Sequence, residues 1–479
     1  MPLKNHGLTR RRLLCGLGAI PGLFSLTTLA VESAPPGSRG KAGNTEAVGQ
    51  VVHEAVATSP DGSRVAFVQK TAGGWLIHLD QQRFGPYEAI TPGPPVFSQD
   101  SRHVAFAARR DARWRVISDG KETGDFAGIL QNSLGYSPDS KRLAFVVTEG
   151  KKVHAVVDGR QQQGYDSIID GRILFTADSR RVAYAASVGR QQVLVLDGEE
   201  VPPRFDAIAS RSLTLKPDGE GYAFAASQDG LWTIATEQGS LGRYAAILRG
   251  APVYSAGGKL AYAARLGTRW LMVVDGKVLG QYDAIGADSL VFSKNGEHVV
   301  FAARSAHQWR VFVDGAPQQD FDALGNASLV VGASVNSVAY AGRLGNEWYV
   351  VVGGQRVGPY EAVLPGTPLV SPDGVSVLYA ARSNAKWSVF MAGKAIGSFD
   401  AIVPGSITVN RSSSRLAFMA VLAGRPLIVS ARKGADAFDV IRDTGLLIGV
   451  SAPRFPNQDT ISYIAEREQA FRLVEVGLP

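Results

Sequence analysis

A period of about 40 residues dominates the sequence. An aromatic residue recurs at ten positions with this spacing, and a further copy, Tyr463, follows after a slightly longer interval. The stretch from Val299 to Leu324, VVFAARSAHQWRVFVDGAPQQDFDAL, is the template of the repeat. A fixed period of this length with strand-like content indicates a repeat architecture. The ten positions are Phe67, Phe106, Phe145, Tyr184, Phe224, Tyr262, Phe301, Tyr340, Tyr379 and Phe418.

Each repeat has four parts, A to D. Part A ends in a turn such as Ser-Pro-Asp-Gly at 59–62, whose residue types favour a type I turn. Part B is apolar on both faces, as in Val104–Ala108, so it needs a sheet packed against each side. Part C begins at Trp, and an Asp-Gly turn joins it to part D, which carries a tetrad such as Tyr-Asp-Ala-Ile at 282–285. This pattern predicts an all-β propeller of about eleven four-stranded blades of about 39 residues.

The turn and the strand that follows it also resemble a known family. A Ser-Pro-Asp-Gly turn followed by an apolar-Ala-Phe strand is similar to the WD-repeat-like blades of TolB-type β-propellers, and the match extends from His53 to the end of the chain. The resemblance implies a β-propeller fold for this part of the chain.

The first thirty residues differ from the repeats. Basic residues, among them Arg10 and Arg11, precede an apolar run from Leu13 to Ala30, which is the pattern of an export signal. Residues 9–14, Thr-Arg-Arg-Arg-Leu-Leu, resemble the twin-arginine (Tat) motif, so we expect residues 1–30 to direct export to the periplasm or another extracytoplasmic space. A general secretory signal or an uncleaved anchor remains the alternative. Residues 31–49 are expected to form a disordered linker, and residues 50–479 to hold the repeats.

The signal accounts for much of the basic composition. Removing its four positive charges lowers the formal net charge from +7 to +3, which is ordinary for a chain of this size and gives no argument for a nucleic-acid partner. The single cysteine, Cys15, lies within the signal, so the mature protein is expected to have no thiol and no disulfide. We expect a monomer without a membrane span once the signal is cleaved.

All seven tryptophans occupy one phase of the repeat, and five arginines each precede a tryptophan by the same interval. If part B turns back into part C between them, each pair faces across two strands and the guanidinium stacks on the indole. We favour this structural interpretation over a ring of arginines for an anionic ligand, and it predicts that Trp309 is buried against a neighbouring blade under Arg304. The residues are Trp75, Trp114, Trp232, Trp270, Trp309, Trp348 and Trp387, with Arg109, Arg265, Arg304, Arg343 and Arg382.

An acidic residue follows the aromatic residue of part D in most repeats. One carboxylate per blade is far fewer than the about six to eight oxygens that calcium requires, so we expect these acids to hold turns or backbone N–H groups instead. They are Glu88, Asp166, Asp206, Asp283, Asp322, Glu361, Asp400 and Asp439.

The sequence indicates no catalytic residue, no metal site and no cofactor. It contains no Gly-x-Ser-x-Gly motif, no histidines at metal-ligand spacing and no basic patches interleaved with aromatic residues. Our first hypothesis is an exported, non-enzymatic propeller that binds a protein or a component of the cell envelope. The alternative is an enzyme or a glycan-binding propeller with a site at the mouth of the central channel, because function resides on loops.

The two ends of the repeat region complement each other. The last repeat stops without part D, whereas His-Glu-Ala-Val at 53–56 matches a part D tetrad that has no A, B or C of its own. The N-terminal strand is therefore predicted to complete the last blade, which would cover two open sheet edges. Eleven exceeds the about four to eight blades typical of one ring, so we favour two rings of five and six blades, divided near residues 239–252, over one large ring.

Overall fold

The computed structural model describes residues 50–434, 438–441, 452–467 and 470–478. The all-β propeller is confirmed: these residues form eleven antiparallel sheets, here numbered blades 1 to 11, and include two short 3-10 turns (Ile169–Gly171 and Val335–Ser337) but no α-helix. The strands of each blade are named A to D in chain order. The described part of the chain has no helix with the length and apolar character of a membrane span.

Strand B is the most deeply buried strand of each blade. Its residues point alternately to the two neighbouring blades; Phe301 packs in a cluster with blade 6, and Val300 in a cluster with blade 8. Both side chains are fully buried, which explains why this strand is apolar on both faces. The B strands are Val65–Thr71, Val104–Arg110, Leu143–Glu149, Val182–Val188, Tyr222–Gln228, Leu260–Leu266, Val299–Ser305, Val338–Leu344, Val377–Ser383, Arg415–Leu422 and Thr460–Arg467.

Strands C and D follow strand B through tight hairpins. The B–C turn of blade 2 has positive φ at both Asp111 and Ala112, which is type I′ geometry, and the C–D turn has it at Asp119 and Gly120. The C strands are Gly74–Leu79, Arg113–Ser118, Lys152–Val157, Gln191–Leu196, Leu231–Thr236, Arg269–Val274, Gln308–Val313, Glu347–Val352, Lys386–Met391, Arg425–Arg432 and Ala470–Gly477. The D strands are Gln82–Tyr87, Lys121–Phe126, Arg160–Tyr165, Glu199–Phe205, Gly239–Tyr244, Lys277–Tyr282, Ala316–Pro317, Gln355–Tyr360, Lys394–Phe399 and Phe438–Ile441.

Strand A lies on the inside of the ring. Lys294 Nζ of blade 7 donates a hydrogen bond to the carbonyl of Pro372, two blades away, at 3.2 Å, and such a contact requires the A–B turns to lie near the axis. Blade 1 has one continuous strand A, and blades 2 to 10 have two short pieces that both pair with strand B. The A strands are Gln50–Thr58, Ala89–Ile90 with Val96–Phe97, Gly128–Ile129 with Gly135–Tyr136, Ser167–Ile168 with Leu174–Phe175, Ala207–Ile208 with Thr214–Leu215, Ala246–Ile247 with Val253–Tyr254, Ala284–Ile285 with Val291–Phe292, Ala323–Leu324 with Val330–Val331, Ala362–Val363 with Leu369–Val370, Ala401–Ile402 with Thr408–Val409, and Arg454–Asn457 in blade 11.

The blades form a single ring, so the predicted division into two rings is wrong. A hydrophobic cluster spans blades 5, 6 and 7 and includes Ile234, Tyr262 and Phe301. Packing is therefore continuous across residues 239–252, where the division was predicted, and Ala47–Pro479 form one compact unit.

The predicted exchange of a strand between the chain ends is also wrong. The N-terminal strand pairs with strand B of its own blade, with Val56 opposite Phe67, and blade 11 has three strands in the described residues. The reason is that the Ala and the aliphatic residue of each tetrad begin strand A of the next blade; after Tyr87, for example, the N–H of Glu88 already bonds to the carbonyl of Arg109. Blades 11 and 1 meet through Arg454 Nε, which donates to Thr58 Oγ1 at 2.8 Å, and through Ser462.

Candidate functional site

The repeated tryptophans and arginines lie at one face of the ring, where strand B turns into strand C. Two guanidinium groups lie over indoles: Arg304 Cζ is 5.8 Å from the Trp309 ring centroid, and Arg382 Cζ is 5.9 Å from that of Trp387. In blade 1 a lysine takes the place of the arginine, with Nζ 5.3 Å from the indole. Directly opposite each other across strands B and C lie Arg109 and Trp114, Arg265 and Trp270, Arg304 and Trp309, Arg343 and Trp348, and Arg382 and Trp387, as well as Lys70 and Trp75, and Ser227 and Trp232.

Seven of the eight acidic residues predicted at the end of strand D hold the B–C turn of the following blade, and the side chain of the eighth, Asp439, lies outside the described part of the chain. Asp166 accepts the backbone N–H of Gly189 at 2.6 Å, and the Lys152 ammonium that bonds to the same carboxylate, together with this N–H, lowers the Asp166 pKa. Glu88 likewise accepts the N–H of Ala112, at 3.3 Å, and also pairs with Arg109, Nε to Oε2, at 3.2 Å. These carboxylates thus each bind groups of the following blade. Among the described residues, no three acidic, His or Cys side chains converge on a possible metal site.

The tryptophans are half-buried, which corrects the expectation that Trp309 is buried against a neighbouring blade. Five of them pack against the apolar clusters between blades: Trp75, Trp114, Trp232, Trp270 and Trp387. Trp309 instead lines an open cleft between blades 7 and 8.

This cleft has a volume of about 600 Å³ and lies beside the inner strands. One wall comes from the turn between the two pieces of strand A in blade 7, residues 286–289, with Ala302 and Trp309 behind it. The opposite wall comes from the corresponding turn of blade 8, residues 325–329, and from Tyr340. The volume falls within the range of small-molecule sites.

A missing side chain opens the cleft. At the first position of the inner turn, blades 6 and 9 carry Leu248 and Leu364, which are buried against the following blade. Blade 7 has Gly286 at this position, and its φ is not in the left-handed region that favours glycine. The glycine is therefore not required by its backbone conformation, and the side chain that leucine supplies elsewhere is absent, although a Cβ at this position would lie 3.2 Å from Ser289 Oγ and 3.4 Å from Ala302 Cβ.

The outer part of the same junction is irregular as well. Strand D of blade 7 is only two residues long, Ala316–Pro317, and the chain returns to strand C at Phe321, which exchanges backbone hydrogen bonds with Trp309. The Phe321 ring occupies the space where a Cβ on Gly342 would lie, within 2.5 Å. Several departures from the repeat thus converge on one junction, as expected for a functional site.

The cleft combines one aromatic surface with polar groups at its mouth. Arg249 Nη2 donates to Asp288 Oδ2 at 2.7 Å, and both side chains are more than half exposed. Asn326 is exposed beside them and has no hydrogen-bond partner among the described residues. At the inner end, burial raises the pKa of Tyr340 to about 12.

Sequence reasoning did not identify this cleft. The available signal was the glycine at 286, where four other repeats have Leu130, Ile169, Leu248 and Leu364, together with the glycine at 342 in place of alanine. Both glycines depart from the repeat pattern, and the sequence analysis rested on the residues that the repeats share. The export residues Arg10 and Arg11 lie outside the described residues.

Comparisons with known proteins show distant similarity only. No protein-family profile matches the sequence, and no curated protein sequence is similar to it. Among solved structures, a eukaryotic initiation factor is 12% identical over 83% of this chain and 96% of its own, with a TM-score of 0.42. TolB from Acinetobacter baumannii is 15% identical over 55% and 65% of the two chains (TM-score 0.24), and the periplasmic gluconolactonase of Pseudomonas aeruginosa is 16% identical over 57% and 94% (TM-score 0.29). At these identities and TM-scores the similarity assigns no function to this chain.

Proposed function

We propose that the protein is an exported, non-enzymatic β-propeller that binds a protein or another component of the cell envelope. The observation that carries this proposal is the distribution of exposed apolar side chains. Of nine large hydrophobic residues with exposed side chains in the described part of the chain, four lie on the adjacent blades 5 and 6. They are Leu231, Leu241, Leu266 and Val278.

Two of these four are strongly exposed. Leu266, at the end of strand B in blade 6, is 58% exposed, and Val278, in strand D of the same blade, is 54% exposed. Burying such side chains against a partner is favourable because it removes apolar surface from water, and concentrations of them mark interaction surfaces. The proposed partner surface therefore extends along blades 5 and 6, from the B–C turn beside Leu266 to the C–D turn beside Val278.

A capture experiment with matched variants tests this surface. The tagged protein is used to capture partners from an envelope extract, alongside the double variant Leu266→Ser, Val278→Ser. The control is Val375→Ser in blade 9, which removes an even more exposed valine (65%) from another place on the ring. We expect a stoichiometric partner with the wild type and the control, and its loss with the double variant. Equal recovery with all three proteins would contradict the proposed surface.

The export part of the proposal rests on the N-terminal motif. Lysine keeps the positive charge of arginine but lacks its planar guanidinium, so it separates recognition of the paired arginines from a general need for charge. We expect the double variant Arg10→Lys, Arg11→Lys to remain in the cytoplasm, measured by cell fractionation. Normal export of this variant would favour the general secretory route.

A further inference from the structure

We infer that the cleft between blades 7 and 8 is a binding site for a saccharide. This inference goes beyond the proposed scaffold function, since it depends neither on export nor on a protein partner. It follows from the platform, the polar groups and the shape of the cleft.

The platform is the indole of Trp309. A sugar ring presents C–H groups on one face, and an accessible indole offers an apolar surface of matching size with an N–H at its edge. Trp387, by contrast, occupies the equivalent position in blade 9 and lies opposite the equivalent arginine, Arg382, but it packs against the hydrophobic cluster between blades 9 and 10. Trp309 is thus the platform that the ring leaves open on this cleft.

The polar groups at the mouth suit hydroxyl groups. A sugar hydroxyl both donates and accepts, and the amide of Asn326 can do the same, while Arg249 offers donors and Asp288 an acceptor. In the ion pair between Arg249 and Asp288 the two charges neutralise each other. The Asp288 carboxylate also repels a highly charged anionic ligand. The exposed guanidinium of Arg304, which lies over one face of the indole, adds donors next to the platform.

The walls of the cleft allow close approach. Besides Leu324 and Leu329, they include small residues, among them Gly286, Ala287 and Ala302 on blade 7, and Gly325 and Ala327 on blade 8. Small side chains leave a flat slot beside the indole instead of the interdigitated packing of the other junctions. A slot of about 600 Å³ has room for the end of an oligosaccharide.

Binding is tested first with the purified full-length protein on an array of neutral and acidic oligosaccharides. The strongest hit is then titrated by calorimetry into the wild type, Trp309→Ala and the control Trp387→Ala. We expect Trp309→Ala to weaken binding about tenfold or more and Trp387→Ala to leave it unchanged. No saccharide hit, or a hit whose affinity is the same in Trp309→Ala as in the wild type, would overturn the inference.

A second variant keeps the test valid if Trp309→Ala is unstable. Gly286→Leu places in blade 7 the side chain that blades 6 and 9 already carry at this position, so the propeller is expected to accept it. It fills the slot and should abolish binding, and a melting temperature near that of the wild type would show that Ser289 Oγ, 3.2 Å from the added Cβ, adjusts to it. A folded Gly286→Leu protein with wild-type affinity would place the saccharide outside the cleft and refute the assignment.

Discussion

Small hydroxyl side chains complete the hydrogen bonding of the interrupted inner strands. Where strand A breaks, the Oγ of Ser328 donates to the carbonyl of Gly325 at 2.8 Å and accepts the N–H of Ala341 in strand B at 3.2 Å. The N–H of a central strand would otherwise be buried without a partner, which is costly. The same arrangement recurs with Ser133, Ser212, Ser289, Thr367 and Ser406.

Removing one of these hydroxyl groups should therefore destabilise the ring. We expect Ser328→Ala to lower the free energy of unfolding by about 1–3 kcal/mol, measured by urea denaturation, because the N–H of Ala341 loses its acceptor. Ser328→Thr should retain most of the stability, since Thr367 has this role in blade 9. Ser383→Ala, at an exposed position, is the control and should be nearly neutral. Equal effects of the two alanine variants would show that water replaces the lost hydroxyl.

The burial of two aromatic residues in blade 7 predicts unequal roles in stability. Phe301 is fully buried and stacks on Phe312 with ring centroids 5.3 Å apart, so Phe301→Ala should cost about 3–5 kcal/mol. Trp309 is half-buried beside the cleft, and Trp309→Ala should cost roughly 1–2 kcal/mol. Urea denaturation of both variants compares the two. Similar losses would mean that the indole is part of the core and that the cleft is closed in solution.

At the scale of the strand, the sequence predicts strands B and C well and the inner strand poorly. Strand B is defined by burial on both faces, and the Arg–Trp spacing sets its pairing with strand C. The tetrad is misplaced because its four residues belong to two blades: Tyr282 ends strand D of blade 6, whereas Ala284 begins strand A of blade 7. A local pattern of alternating residues does not show where a chain crosses between sheets, since that depends on partners distant in the sequence, such as Arg304 opposite Ala284.

The A–B turns predict how stability depends on pH. The Ser137 hydroxyl and then a backbone N–H donate to Asp139 and lower its pKa, and the pKa values of Asp100 and Asp178 are lowered in the same way. A carboxylate whose pKa is lower in the folded state stabilises the fold above its unfolded-state pKa, and this contribution is lost as the pH falls through the folded-state value. The loss should therefore occur below about pH 4.

Asparagine substitutions test this pH dependence. Blade 7 already has Asn295 in this turn, where its Oδ1 accepts the Ser293 hydroxyl, so the residue fits. The triple variant Asp100→Asn, Asp139→Asn, Asp178→Asn should lose less melting temperature than the wild type between pH 5 and pH 2.5. An unchanged pH dependence in the variant would assign the acid sensitivity to other carboxylates.

At the scale of the whole molecule, the number of blades is predictable but the number of rings is not. Counting repeats requires only the period, whereas closure depends on a small rotation between neighbouring blades that accumulates around the ring, and no single residue encodes it. The saccharide cleft is unpredictable for a related reason. It arises where Gly286 of one blade faces Tyr340 of the next, so only the assembled junction reveals it.

The ring closes where blade 1 contacts blade 11. At the A–B turn of blade 1, Gly62 has a φ of +75°, and its carbonyl accepts the Ser462 hydroxyl of blade 11 at 2.6 Å. A Cβ added to Gly62 would lie 2.5 Å from Arg454 Cβ and 2.8 Å from Ser462 Oγ, so Gly62→Ala strains the turn and also separates blades 1 and 11. Gly219→Ala is the matched control, because its φ is +80° in the same turn of blade 5 but its nearest neighbour, Asp178 Oδ1, is 3.4 Å away.

Gly219→Ala should cost only the strain of a left-handed alanine, about 1–2 kcal/mol, and Gly62→Ala about 1–3 kcal/mol more, because the added methyl also crowds the closing contact. Urea denaturation measures both losses, and size-exclusion chromatography should show association of the Gly62→Ala protein alone, since an opened ring exposes sheet faces that bury apolar residues elsewhere. Equal losses, with both variants eluting like the wild type, would mean that the contacts of Ser462 and Arg454 do not hold the ring closed. Closure would then depend on the packing of blade 11 against blade 10, where Ile461 and Tyr463 are buried beside Met419.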